Sequence, residues 1–437
     1  MNLIELKNIN HYCMLTAVLV FICLPFATGF ADIPEESGDL MDEIEIIRIN
    51  MPGKGEEGFV IPTSSELNNW REVSESFLCG HMDEVDSLVN LYFPSVYQLV
   101  HFTDTGYQDL KYYILKERAP IQKGWGTFIL GIDYQREIAI EIPHARFEIN
   151  TPSEGVDMFR RTGSRVFIMT GTHRCSNDQW APCDGISSVC GDGHYHISDV
   201  AHNVDCFYQV MHEAYTDIYP FGYSFSIHGT SNSDCPDIFL SNGRGDDSKP
   251  IIYEMKERMN NMGNISVSVA GDGSSSCTLT GATNVQGRYT NSSPSPCYQS
   301  APANNGRFIH AEQRRRVRDN YYIYIKFIDA INSTISTEPD STGGNVNSSS
   351  LLDLSVPFPN PSRTEIRFSL FSLKDQFVSV DLFDVAGKRL KSIHSGRFAE
   401  QETRNFCLNY DDLSSGVYFI RASAEGIMIS RKVLVIR

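Results

Sequence analysis

The stretch from Ile142 to Arg174 constrains this chain most. An apolar run, Ile138 to Ile142, leads into Pro143 and His144, and Glu148 and Glu154 follow within ten residues. An amphipathic segment (VDMFRRTGSR) comes next, and then a second apolar run, Val166 to Thr170, that ends in Gly171-Thr172-His173-Arg174. Strand, polar loop, helix, strand, polar loop is the signature of an α/β sheet, and such sheets place their chemistry at the C-terminal ends of strands. A histidine with a carboxylate a few positions along supplies half of a zinc site, because Zn²⁺ accepts imidazole nitrogen and carboxylate oxygen.

The 437 residues suffice for two or three domains, and 41% hydrophobic with 21% charged residues is a globular composition. A net charge of −17 argues against a nucleic-acid partner, which needs clustered cations. The one dense basic run, Arg314-Arg315-Arg316-Val317-Arg318, reads as a solvated face or as a clamp for a substrate carboxylate. Residues 1–31 read as a secretory signal: Lys7, an apolar core from Met14 to Pro25, and small residues near Ala31. That core is short for a membrane span, and no later stretch is apolar enough for one, so no stable membrane span is expected.

Export also frames the cysteines. Eight of the eleven lie between Cys79 and Cys297, an even set that allows up to four disulfides. The competing reading is a structural zinc cluster of Cys175, Cys183 and Cys190 with His194 and His196.

Along the chain, residues 32–75 suggest a short acidic lead with one or two strands, and Tyr92 to Phe102 fits an edge strand or a helix. Trp125–Ile132 and Arg136–Ile142 look like a hairpin that feeds His144. Residues 175–198 and 271–306 are Gly-, Ser- and Cys-rich surface insertions. Between and after them come a helix over Val204–Tyr215, a strand over Phe221–Ile227 ending at His228, and a short strand over Asp237–Leu240. A helix over Ile251–Asn261 and strands over Ile265–Ala270 and Phe308–Gln313 follow, with a terminal helix over Asn320–Ile331. Residues 332–353 form a linker by composition. Beyond it, short alternating strands (Glu365–Leu370, Val378–Phe383, Arg389–Ile393, Val417–Ala422, Ile427–Val435) predict a small immunoglobulin-like β-sandwich. The expected architecture is a mixed-sheet α/β domain over 32–331 followed by an all-β sandwich over 354–437.

His144, Glu148 with Glu154 close behind, His228 and Glu312 stand at or near strand ends. A zinc hydrolase needs three protein ligands with an open position, and a carboxylate that takes a proton from water and returns it to the leaving amine. His144, one of the two glutamates and His228 supply the ligands, Glu312 the base, and Arg174 a planar fork for a substrate carboxylate or a scissile carbonyl. The ordinary alternatives are concrete. A histidine at a strand end is commonly a hydrogen-bonded core residue. Glu312 could simply pair with Arg314 or Arg315, and His310 shares its strand face and competes for the role. His194, His196, His202 and His212 have no spacing that compels a metal.

The order His–Glu…His…Glu is similar to that of zinc carboxypeptidase-like folds. PHARFEINTPSEG resembles the metal loop of phage-type poly-γ-glutamate hydrolases and of the N-formylglutamate amidohydrolase group. Glu148 lies four positions after His144, where the carboxypeptidase loop spaces its His and Glu by three and the poly-γ-glutamate loop by five, which keeps Glu154 as the alternative third ligand. The resemblance covers about residues 120–331. It implies cleavage of an amide bond next to a carboxylate-bearing residue, of γ-glutamyl, N-acyl-amino-acid or peptide type. At the other end PFPNP (from Pro357), VSVDLFDVAGKRL, LSSGVYFIRA and RKVLVIR resemble the type IX secretion sorting domain of Bacteroidetes-type bacteria. That resemblance implies export by the type IX machinery to the secreted fraction or the outer-membrane surface. Together these readings describe a secreted zinc amidohydrolase. The alternative is a non-catalytic surface protein that binds glycan or another cell.

Overall fold

In the computed structural model the described residues are 33–246, 248–337, 352–355, 357, 362, 365–385, 387–400, 402–409, 413–424 and 427–436. The expected signal over residues 1–31 and most of the expected linker over 332–353 lie outside them. The chain begins with β1 (Glu35–Gly38), α1 (Leu40–Asn50), α2 (Ser64–Leu78) and α3 (Met82–Tyr92). Strands β2 (Tyr97–Asp104), β3 (Leu110–Glu117), β4 (Thr127–Gly131) and β5 (Arg136–Ile142) lead to α4 (Thr151–Thr162) and β6 (Ser164–Met169). After the first insertion come α5 (Phe207–Ile218), β7 (Tyr223–Thr230), β8 (Ile238–Ser241), α6 (Pro250–Asn261) and β9 (Val267–Val269). The short α7 (Val285–Thr290), β10 (Phe308–Arg314), α8 (Arg315–Arg318) and α9 (Tyr321–Thr334) complete this part.

Ten strands form one mixed sheet in the order β1-β2-β3-β4-β6-β5-β7-β10-β8-β9. Its centre, β6-β5-β7-β10, is parallel throughout, so four C-terminal strand ends share one edge. Alternation along each central strand feeds two cores. Ile138, Ile140 and Ile142 face one that is closed by α1, α4, α6 and α9, whereas Ala139, Val166 and Ile168 face another closed by α2, α3 and α5. Strands apolar on both faces are what a sheet covered by helices on both sides requires.

Three local expectations are corrected. Residues 39–78 form two helices after one short strand. Asp39 caps α1, and Thr63 with Glu66 makes a reciprocal capping box that starts α2. The segments around β4 and β5 are no hairpin, because β6 lies between them, antiparallel to β4 and parallel to β5. A β5–α4–β6 crossover returns beside β5, as parallel βαβ units do. Tyr92 ends a helix, and the strand after it, β2, is paired on both sides and is not an edge.

Among the described residues the cysteines pair as Cys175–Cys190, Cys183–Cys297 and Cys235–Cys277, three bridges, with Cys79, Cys206 and Cys407 free. These bonds consume the thiols that a Cys175/Cys183/Cys190 zinc cluster would need. They staple the two insertions together and to the sheet.

At the C-terminus β11 (Leu352–Leu354), β12 (Glu365–Ser372) and β15 (Glu402–Asn409) make a three-stranded antiparallel sheet. A second antiparallel sheet runs β14 (Arg389–Phe398), β13 (Gln376–Asp384), β16 (Gly416–Ala424) and β17 (Ile427–Val435). Ile366 and Phe368 of one sheet and Val380, Ile420 and Val433 of the other share a core. Strands β11 and β15 had no counterpart in the expected set. The turn between β13 and β14 closes on Gly387 at φ 78°, a left-handed conformation that glycine adopts without strain.

Candidate metal centre

Three of the four central parallel strands, β5, β7 and β10, bring polar groups to the same edge. β5 runs into Pro143 and His144, and the chain then makes one helical turn in which the Glu148 amide donates to the His144 carbonyl at 2.8 Å. That turn sets the two side chains next to each other, as a spacing of four does in a helix. His144 Nδ1 lies 2.7 Å from Glu148 Oε1, and the other Glu148 oxygen accepts the Gly229 amide at 2.8 Å. β7 carries His228, whose Nδ1 is 3.5 Å from Glu148 Oε2. β10 places Glu312 in register with His228 and His310 with Ser226. Glu312 and His310 share a face, with His310 Nε2 3.7 Å from Glu312 Oε1. The imidazole of His228 sits between the other two, ring centres 4.9 Å from His144 and 4.5 Å from His310.

Ligand atoms of His144, Glu148 and His228 lie within 4.8 Å of one another, and so do those of His228, His310 and Glu312. Every one of these residues is buried. They line a cavity of about 490 Å³ together with Arg174 and parts of both disulfide-bound insertions.

Asp199, at the end of the first insertion, organises the far side. Its Oδ1 meets His144 Nε2 at 2.9 Å, and its Oδ2 accepts from Arg174 Nε at 2.9 Å and from Nη2. Arg174 Nη1 stands 3.8 Å from Glu148 Oε1. Burial alone would raise both carboxylates. Arg174 and His144 nevertheless hold Asp199 far down, and His144 and His228 hold Glu148 well below the usual range. Burial and Arg174 work against charge on His144, yet Glu148 and Asp199 outweigh them and raise its pKa. Burial dominates elsewhere: it lowers His228 and His310, and with the Glu148 charge it pushes Glu312 up to about 8.

The donor set could hold a divalent cation. Two imidazoles and a carboxylate converge, and a metal-ligating histidine typically has its second nitrogen held by a carboxylate, the position Asp199 takes behind His144. His310 Nδ1 is buried without a hydrogen-bond partner among the described residues.

Of the residues singled out in the sequence, the fold gathers His144, Glu148, His228, Glu312 and Arg174. Glu154 is not among them. Its Oε2 accepts from Gln313 Nε2 at 3.0 Å, and Gln313 alternates with Glu312, so Glu154 lies on the opposite face of β10, on α4. Asp199 and His202 were not anticipated. Asp199 sits in an aperiodic Gly-rich insertion that carries no register signal. His202 lines the cavity, its Nδ1 3.1 Å from the Thr283 carbonyl oxygen, and burial lowers it to about 3. The HAE alternation on β10 is the one local signal that marks His310.

Glu154 yields a stability prediction. Burial raises its pKa to about 8, against an unfolded value of about 4.3. The neutral carboxyl therefore favours the fold fully below the unfolded value, and this contribution is lost as pH rises through about 8. Glu154→Gln is expected to be close to neutral at pH 5. At pH 9 it should stabilise by a few kcal/mol, raising Tm by about 5 °C or more. Thermal melts of both proteins at the two pH values check this, and an equal difference at both would refute the assignment.

Residues 357–436 match the family described as the secretion system C-terminal sorting domain. No curated protein matches the chain. Among solved structures, an N-formylglutamate amidohydrolase from Ralstonia eutropha JMP134 is similar at 14% identity and TM-score 0.29, covering 48% of this chain and 95% of that one. The CARDB domain of a Pyrococcus furiosus protein in complex with di-metal ions is similar at 16% identity and TM-score 0.15, covering 20% and 85%. At those scores neither likeness bears on the chemistry. No helix among the described residues is long and apolar enough to cross a membrane. Residues 357–436 are a type IX secretion sorting domain, and they direct the protein to the secreted or cell-surface fraction of a Bacteroidetes-type bacterium.

Proposed function

We propose that this exported protein is a zinc-dependent amidohydrolase, with residues 32–331 as the catalytic domain, 332–353 as a linker and 354–437 as an immunoglobulin-like sorting sandwich. The observation that carries the reading is convergence: side chains from the ends of β5, β7 and β10 place two imidazoles and a carboxylate within 4.8 Å, in a cavity, next to a second carboxylate. His144, Glu148 and His228 would hold the ion, and Glu154 drops out as a ligand because it lies across the sheet. Zn²⁺ in that position supplies Lewis-acid polarisation of an acyl carbonyl and a water pKa lowered toward ~7.

The protein's own groups do the rest. Glu312 takes the proton of the attacking water and returns it to the leaving amine. Arg174, fixed on one side by Asp199, turns Nη1 toward the cavity, where it can stabilise negative charge developing on the carbonyl oxygen. Asp199 holds His144 in one orientation.

A carboxylate on the substrate has a partner in the basic run. Arg315 pairs with Asp319 at 2.5 Å and Arg316 with Asp237 at 2.7 Å, while Arg318 is buried against main-chain carbonyls. The guanidinium of Arg314 has no ion-pair partner among the described residues. It lines a depression that shares Glu148 with the metal cavity, two residues beyond Glu312 on the same strand face, about 7 Å along the strand. An amide beside a carboxylate-bearing residue fits that separation.

The test is metal analysis of the purified chain together with a screen of γ-glutamyl, N-acyl-amino-acid and peptide amides. One zinc per chain is expected, with amidase activity that a chelator removes, and His228→Ala should lose both. A protein that binds no zinc, and whose His144→Ala variant behaves like the parent, leaves the non-catalytic surface-binding reading in its place.

A further inference from the structure

The cavity has a second wall whose chemistry differs from that of the metal cluster. The loop of the first insertion contributes Ile186, Ser187, Ser188 and Val189 to the lining, and the loop of the second contributes Leu279. Ile186 is 82% exposed and Val189 40% exposed, although each borders a cavity that also contains His144, Glu148 and Glu312. One exposed aliphatic side chain on a protein surface signifies little, but a group of them on the rim of a polar cavity marks a ligand contact.

The rim is built to hold its shape. Cys175–Cys190 and Cys183–Cys297 flank Ile186, and Cys235–Cys277 anchors the second loop one residue before it enters the lining. The backbone is pinned further between Ser187 and Gly193, where Ser187 N donates to Gly193 O at 3.3 Å. An aliphatic contact surface presented by a cross-linked loop loses little conformational entropy when it is covered.

The two sides of the centre therefore differ. Arg314 lies beyond Glu148, and the aliphatic rim lies on the insertion side, with the metal cluster bordering both depressions through Glu148. We infer that the acyl side of the substrate is aliphatic and packs under Ile186, Val189 and Leu279, so that the substrate class is an amide joining an aliphatic acyl group to a carboxylate-bearing amine. This rests on the amidohydrolase reading for the identity of the scissile bond. The contact itself does not depend on turnover.

The experiment separates the two. N-acetyl-, N-butyryl- and N-hexanoylglutamate are titrated into the full chain by calorimetry, using the Glu312→Gln variant so that no hydrolysis intervenes, and turnover is measured separately on the parent. Kd is expected to fall about tenfold for each two added methylenes. Ile186→Asp, and independently Ile186→Ser, should flatten that gradient. Both changes fall on an exposed loop position, so the fold is expected to survive them. A gradient without turnover of these three amides, or of any amide in the γ-glutamyl and peptide screen, upholds the aliphatic contact and removes the amidohydrolase reading. Turnover with equal Kd for the three ligands, or a gradient that both Ile186 variants retain, overturns the contact and leaves the hydrolase standing. No binding of any of the three overturns it as well.

Discussion

Glu312→Gln is expected to lower kcat by about 10²- to 10⁴-fold on any amide the protein cleaves, while zinc stays at one per chain. The substitution keeps the shape and hydrogen-bonding reach of the side chain and removes its capacity to accept a proton. Glu312 stands opposite His228 on the neighbouring strand and 3.7 Å from His310, close enough to the cluster to serve water held there. It is also the carboxyl whose charge the site least favours, because burial and the Glu148 charge both oppose its ionisation. Glu148 is tied down by His144, His228 and the Gly229 amide, and so is poorly placed to carry protons. Steady-state kinetics and metal content measured on one preparation decide between roles. A large loss of kcat with zinc retained identifies a proton carrier. Loss of zinc together with activity makes Glu312 a ligand alongside His310, and unchanged kcat removes it from the chemistry.

Much of the arrangement could be read from residue order, and the reason is the parallel sheet. When successive strands run the same way, polar residues at their C-terminal ends must share an edge, so a histidine after Ile142 and another after Ile227 become neighbours without any knowledge of loops. The same rule covers Glu312 and His310, which alternate onto one face of β10. The rule has no force where the chain leaves the sheet. Asp199 arrives from an insertion whose path is set by disulfides, and nothing in its local sequence distinguishes it from the other acidic residues there. Glu154 shows the opposite failure. It is close to His144 in sequence, but Pro152 starts a helix whose phase turns it to the other side of the sheet. The presumed β4–β5 hairpin failed for a related reason: nearness along the chain suggested pairing, while two strands buried on both faces could equally be separated by a third. The capping box at Thr63 and Glu66 was legible and would have shown that residues 64–78 are helical.

Asp199→Asn should cost the protein twice over, in metal affinity and in stability, and the two losses can be told apart. Among the described residues Asp199 is the carboxylate that hydrogen-bonds both His144 and the Arg174 guanidinium, whereas Glu148 bonds His144 and stands 3.8 Å from Arg174 Nη1. The amide can present one oxygen but carries no charge. His144 then loses the partner that orients it and raises its basicity, which typically weakens metal binding about 10- to 100-fold. Arg174 is left deeply buried, its charge answered only by Glu148 at 3.8 Å, and an uncompensated buried charge of this kind destabilises by roughly 3–5 kcal/mol. The stability loss should appear in chelator-treated protein, because the Asp199–Arg174 pair exists without metal. The affinity loss should appear as a shift in zinc titration of whatever fraction remains folded. Removing the guanidinium as well, in Asp199→Asn/Arg174→Met, takes away the orphaned charge. It is expected to recover much of the stability and none of the zinc affinity. If the double variant instead regains zinc binding, the orientation of His144 does not depend on Asp199, and the carboxylate serves only to neutralise Arg174.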